Sequence, residues 1–136
     1  MIILAAILAA VAAASASPSP APDDSILGTW RGTSTCVDRQ RHPACKDEVV
    51  IYGFRRKAGE EGVVTLNADK IVEGQVVPMY ELDCRWDAGR RAWTSEFRNE
   101  RVHILWSFMV RGDAIEGTLV DLPDGSLVRN VAVKRQ

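Results

Sequence analysis

The 136-residue chain has little of what catalytic and metal sites require, because it holds only two histidines and three cysteines. Neither a C-x-x-C nor an H-x-x-x-H spacing occurs, which argues against a zinc site. His42 and His103 have no nucleophile near them in the sequence that they could serve as a base. We therefore expect no catalytic residue, no metal ligand and no cofactor.

An excess of charge of one sign is also missing. The chain has 17 basic and 18 acidic residues, which gives a formal net charge of −1. A surface that binds nucleic acid normally shows as a strong basic excess. We expect no nucleic-acid partner.

Long hydrophobic runs are absent except near the N-terminus, where the apolar run Ile2–Ala14 is too short for a membrane span of about 20 residues. The small–x–small sequence Ala14-Ser-Ala16 follows it, as at a signal-peptidase site. We predict a signal peptide over residues 1–16, cleaved after Ala16 or alternatively after Ala14, and a secreted or periplasmic product. No Lys or Arg precedes the run, so an Ala-rich N-terminus that stays on the chain is the alternative.

The segment that follows is rich in proline, which disfavours both helix and sheet ladders. We predict an extended linker over residues 17–25 and one folded domain over residues 26–136. No cysteine comes directly after the apolar run, so a lipid anchor has no attachment site. We expect a monomer without stable membrane insertion after signal cleavage.

The three cysteines divide into a pair and a single residue. Cys36 and Cys45 bracket a polar segment, and an exported protein meets an oxidising compartment, so we predict a disulfide between them. Cys84 lies in an alternating apolar run with Trp86, which favours a buried and unreactive thiol. Pairing of Cys84 with Cys36 or Cys45, or a redox role, is the alternative.

After residue 25 the sequence shows no helical period, but runs of β-branched and aromatic residues separated by turn signals. Short turns join antiparallel neighbours, and closing the sheet removes its two free edges. We therefore predict an all-β fold, an eight-stranded antiparallel up-and-down barrel, with a flat or sandwiched meander as the alternative. The predicted strands are Leu27–Cys36, Glu48–Arg56, Val63–Val72, Val76–Trp86, Arg91–Arg98, Arg101–Arg111, Ala114–Asp121 and Leu127–Arg135.

Gly28-Thr-Trp30, at the start of the first predicted strand, resembles the G-x-W motif of lipocalins and related calycins. The resemblance implies a lipocalin-like barrel in which Trp30 plugs the closed end and an arginine of the last strand covers its indole ring. Arg129 is at the corresponding place, and a guanidinium over a Trp face is attractive. We expect Gly28, Trp30 and Arg129 to close the barrel, with Gly32 also clearing space for the ring; the alternative is a Trp30 that is simply core and a solvated Arg129.

The opening Leu27–Gly32 also resembles that of nitrobindin-type haem barrels. Those proteins carry a haem-ligating histidine late in the chain, whereas no histidine follows His103 here. We therefore do not expect haem binding.

Fold alone does not define function. The favoured hypothesis is non-catalytic binding of a small apolar or amphipathic ligand, because an eight-stranded barrel can hold one small ligand. An exported inhibitor or protein-interaction module is the alternative, since small calycin-like barrels are known to block proteases and the proline-rich segment could serve as an arm. A haem-binding or enzymatic barrel is the third hypothesis. The predicted cavity-lining residues are Met79, Trp93, Phe97, Trp106 and Phe108.

Overall fold

A computed structural model describes residues 24–136 as a closed, all-β barrel. Each strand pairs antiparallel with the next, and the last strand pairs with the first, which confirms the predicted eight-stranded meander. The predicted signal peptide and residues 17–23 of the predicted linker lie outside the described residues. A 3-10 helix, Asp24–Ile26, precedes the strands β1 (Gly28–Cys36), β2 (Glu48–Arg56), β3 (Val63–Val72), β4 (Gln75–Asp87), β5 (Ala92–Arg98), β6 (His103–Arg111), β7 (Ala114–Asp121) and β8 (Leu127–Arg135).

The predicted limits match four of these strands and differ by one or two residues at the other four. The largest difference is at β6, which was expected from Arg101 but begins at His103. The Asn99 side chain accounts for this, because its Oδ1 accepts hydrogen bonds from the backbone N–H groups of Arg101 and Val102, both at 2.8 Å. An Asn side chain that bonds the backbone two and three residues ahead holds the chain in a turn.

The antiparallel order gathers the connections at two ends of the barrel. The Trp30 end holds the 3-10 helix, the start of β1, the β2–β3, β4–β5 and β6–β7 turns, and the chain's C-terminus. The disulfide end holds the long β1–β2 loop, residues 37–47, and the other three turns. The predicted disulfide between Cys36 and Cys45 is confirmed there, with the two Cα atoms 6.0 Å apart.

Aromatic side chains pack against one another in the interior of the barrel. The rings of Tyr52, Phe54 and Phe108 meet edge to face with centroids 5.5 to 6.3 Å apart, an arrangement that aromatic pairs favour. Trp106 stacks on Phe108 at 5.8 Å. Cys84 is buried in the same core as a free thiol, and this burial raises its pKa to about 12.

Trp30 plugs its end of the barrel, but its arginine partner is Arg135. The indole is fully buried and its Nε1 donates a hydrogen bond of 2.8 Å to the carbonyl of Ile26. The Cζ atom of Arg135 lies 4.2 Å from the ring centroid. The prediction that Arg129 covers Trp30 is wrong, because antiparallel pairing of β1 with β8 sets Trp30 opposite Arg135 and Arg129 opposite Cys36.

Gly32 also has a different role from the one predicted. A Cβ atom on Gly32 would lie 2.0 Å from the carbonyl oxygen of Ala132, so this glycine lets the β8 backbone approach β1 and does not make room for the indole. Gly28 has a φ of 120°, which residues with a side chain rarely adopt. A Cβ atom there would touch Arg135 at 3.4 Å.

The barrel wall has one weakly paired junction, between β4 and β5. Only Arg85, Trp86 and Asp87 pair across it, whereas every other neighbouring pair of strands shares six or more residue pairs. Residues 81–84 of β4 and 95–98 of β5, which would continue this ladder, are unpaired with each other. We call these two segments the seam.

Candidate binding surfaces

Arg129 lies at the disulfide end, where it joins β8 to β1 and to the loop. Its guanidinium donates to the Ser34 hydroxyl at 2.9 Å, the Ser34 carbonyl at 3.2 Å and the Lys46 carbonyl at 2.7 Å. The Glu48 carboxylate is 3.8 Å away, and the Arg129 side chain is 14% exposed. A buried charge needs such partners, so Arg129 holds the base of the loop in place.

The disulfide loop is also fixed to the neighbouring β7–β8 turn. Arg41 makes a 3.0 Å ion pair with Asp124, and His42 Nε2 lies 3.1 Å from an oxygen of Asp121. Since Asp121 ends β7 and Asp124 lies in the β7–β8 turn, these contacts draw the loop across the end of the barrel.

Each of the two histidines lies against one carboxylate. His42 contacts Asp121 as above, and His103 Nε2 lies 2.5 Å from a carboxylate oxygen of Glu96 on the outer face. Within residues 24–136, no group of three His, Cys, Asp or Glu side chains is placed to hold a metal ion.

Two tyrosine hydroxyls lie inside the barrel. Tyr52 is fully buried, and burial raises its pKa. Burial also raises the pKa of Tyr80, whose ring contacts that of Trp106 at 6.0 Å. The Tyr52 hydroxyl lies near that of Tyr80 but makes no hydrogen bond of good geometry with any described residue.

Six exposed apolar side chains lie around one end of the barrel, and we call this set the apolar rim. In the described part of the chain, all the large apolar residues with high exposure lie at the disulfide end, at a strand terminus or in an adjoining turn or loop. A concentration of exposed apolar side chains at one end of a fold is typical of binding surfaces. The rim consists of Val37, Val49, Val72, Val76, Phe97 and Val102.

The structure separates the five residues predicted to line one cavity. Trp106 and Phe108 belong to the hydrophobic core, and Phe97 is 49% exposed in the apolar rim. Met79 lines a cleft of about 400 Å³ on β3 and β4. Trp93 lines a different cleft, of about 640 Å³, at the Trp30 end. Binding of a ligand inside the barrel stays a prediction.

Sequence reasoning missed the apolar rim, and Phe97, which is 49% exposed there, was predicted to line the cavity. Each of its five valines is next to a turn or loop and looks like an ordinary strand-end residue. The signal lies in their common position at one end of the barrel, which becomes visible only when the strand directions are assigned.

Comparisons with protein-family models, curated proteins and solved structures found no match for this chain. In the described range, no helix is long and apolar enough to span a bilayer.

Proposed function

We propose that this protein is an exported, lipocalin-like binding module that takes up an amphipathic molecule at its disulfide end. The observation that carries the proposal is the gathering of the exposed apolar residues in one rim. Burying apolar surface stabilises a complex by roughly 25 cal/mol per Å² before the costs of association. The closed eight-stranded meander with an arginine over Trp30 supports the lipocalin-like relationship.

Charged groups next to the rim favour an amphipathic ligand over a wholly apolar one. Arg39 and Arg41 of the loop are paired with Asp47 and Asp124. Lys46 in the loop and Arg101 in the β5–β6 turn are exposed and make no ion pair with a described residue. An apolar chain lying on the rim would therefore have cationic groups within reach of an acidic head. The disulfide between Cys36 and Cys45 supports the export part of the proposal, because such bonds persist in oxidising compartments.

The test is a calorimetric titration of the purified protein with lauric acid, a probe that has one apolar chain and one carboxylate. Phe97→Asp places a charge in the rim and is expected to weaken binding by about tenfold, from the lost burial of one aromatic side chain. Ala58→Asp adds the same charge on an exposed turn at the Trp30 end and serves as the matched control. Absence of lauric acid binding, or equal weakening by both variants, contradicts the proposal.

A second candidate function, binding of an extended segment of a protein partner, is favoured by the seam. The Trp86 N–H donates to the Gly62 carbonyl, so the main-chain groups of Trp86 face β3. Because successive residues of a strand direct these groups to alternate sides, those of Glu81 and Asp83 face β5. These groups are available for strand addition, a common mode of peptide recognition.

The protease-inhibitor form of this second candidate is tested with trypsin and papain. Glu81→Pro removes a seam N–H while leaving the β3 ladder intact, and it should abolish inhibition, whereas Glu81→Gln should retain it. An inhibitor that is unaffected by Glu81→Pro does not act through the seam, and absence of inhibition of both enzymes contradicts this form of the candidate.

A further inference from the structure

The outer face of β2 has few of the polar side chains that a solvated sheet face normally carries. Val50 and Tyr52 are fully buried, so alternation along the strand directs Val49, Ile51 and Gly53 outward. Val49 is 41% exposed and Ile51 is half-buried. Three successive outward positions of β2 therefore present an apolar surface on the outside of the barrel.

The barrel itself does not require a glycine at position 53. A Cβ atom there would meet nothing within 4 Å, and the φ angle of Gly53 is not in the left-handed region. Its pairing with Thr29 on β1 and with Asn67 on β3 continues without a bulge. A glycine inside a strand weakens it and often marks a place where another backbone approaches closely. Gly53 therefore indicates a partner that approaches this face from outside.

Two charges of opposite sign flank Ile51. Arg31 on β1 and Asp69 on β3 are its direct cross-strand neighbours, so the three side chains share the outer face. Arg31 is exposed, and Asp69 lines the open cleft on β3 and β4. Neither side chain makes an ion pair or a hydrogen bond with any described residue. Their two strands are about 10 Å apart, so the two charges do not pair with each other.

This row of a cation, an apolar residue and an anion is complementary to itself. When a second copy is rotated by 180° about an axis that runs along β2, its β3 lies opposite β1 of the first copy. Ile51 then meets Ile51, and Arg31 of each copy meets Asp69 of the other. One self-complementary surface thus supplies an apolar contact and two ion pairs, as in isologous dimers. A partner with charges of only one sign would face either Arg31 or Asp69 with a like charge.

We propose that two copies of this protein associate through the outer faces of β2. Gly53 lets the two β2 backbones approach, and the contact buries Val49 and Ile51. Because two convex walls touch along a narrow strip, the interface is below about 1,200 Å², the range of weak and transient complexes. The protein is then a monomer when dilute and a dimer when concentrated, which differs from the monomer expected from the sequence. The inference goes beyond the function proposed for the apolar rim, and its test needs no ligand.

The first test is sedimentation equilibrium of the purified protein from about 10 µM to about 1 mM, over which the mean mass should rise reversibly towards that of a dimer. Ile51→Asp sets two like charges against each other at the axis and should abolish the rise. Met109→Asp is the matched control, because Met109 is also half-buried and lies on the outer face of β6, across the barrel from β2. A protein that stays monomeric throughout, or equal effects of the two variants, overturns the proposal.

The second test exchanges the two charges. Arg31→Asp and Asp69→Arg each replace two attractions by two repulsions and should each weaken association by about tenfold. The double variant restores opposite charges across the axis, and its association constant should return to within about threefold of the native value. This recovery also shows that both substitutions are compatible with the fold. A double variant as weak as the single ones, or single variants of native strength, overturns the twofold arrangement and the proposal with it.

Discussion

The guanidinium of Arg135, at the end of β8, covers the indole of Trp30, near the start of β1, with 4.2 Å between Cζ and the ring centroid. The same guanidinium donates to the carbonyl of Leu27 at 3.0 Å and to that of Ser25 at 2.5 Å. One side chain therefore joins the last strand to the segment before the first, and it completes the plug that Trp30 begins.

Arg135→Ala should lower the free energy of unfolding by about 1–3 kcal/mol, because it removes a cation–π contact and two charge-assisted hydrogen bonds to the backbone. Thermal denaturation followed by tryptophan fluorescence measures the effect. Lys134→Ala, the neighbouring exposed residue, is the control and should change stability by less than about 0.5 kcal/mol. Equal melting temperatures for the two variants would show that Arg135 does not stabilise the plug.

Arg129→Met should cost about 2–4 kcal/mol by a different route, because it leaves Glu48 and the Lys46 carbonyl without their cationic partner. Hydrogen exchange should also become faster in the loop, residues 37–47, because Arg129 no longer holds its base. Arg39→Ala breaks only an exposed ion pair with Asp47 and serves as the control. A loop that exchanges at the native rate in Arg129→Met would contradict the anchoring role.

Gly32→Ala should destabilise the barrel severely, by about 3 kcal/mol or more, because its Cβ would lie 2.0 Å from the Ala132 carbonyl oxygen and force β1 away from β8. Gly53 is the matched control, since a Cβ atom there meets nothing within 4 Å. Gly53→Ala should be neutral or slightly stabilising. Urea denaturation compares the two variants. A Gly32→Ala midpoint equal to that of Gly53→Ala would show that the β8 backbone moves away from the new Cβ atom at little cost in free energy.

Cys84 should be unreactive towards thiol reagents such as dithiobisnitrobenzoate while the protein is folded, and should react at once in denaturant. Burial raises its pKa from 9.0 to about 12, so the folded protein holds the protonated thiol at neutral pH, and the thiolate is the nucleophile. The unfolded thiol ionises first as pH rises, so this group's contribution to stability is present below about pH 9 and is lost towards pH 12. Rapid labelling of the native protein would contradict the burial of Cys84.

The alternation of residue types was enough to predict the strands and their order. The run from Val102 to Val110 has apolar residues at every second position, and turn residues such as Gly112 and Asp113 limit the neighbouring strands. The pairing of Cys36 with Cys45 was also predictable, because a short polar segment between two cysteines restricts the geometry.

The partner of Trp30 could not be predicted in the same way. Both Arg129 and Arg135 lie in the last strand, on the same face and six residues apart, so alternation treats them alike. The choice depends on the register of β1 against β8, which closure of the whole barrel sets. The Trp30-end cleft and the apolar rim could not be predicted either, because their residues come from separate turns and strand ends that only the folded barrel brings together.

The seam makes the β4–β5 junction the weakest connection in the barrel wall. The barrel is closed, but only three residue pairs join β4 to β5, so its weakest junction comes from the middle of the chain and lies opposite the junction of β1 with β8. Pro78, Glu81 and Asp83 on the β4 side of this junction are residue types that discourage edge-to-edge aggregation. Trimming the C-terminal strand would thus open the wall directly opposite its weakest junction. Folding must also bring together β1 and β8, which are about a hundred residues apart in the sequence. Contacts between residues so far apart are associated with slow folding.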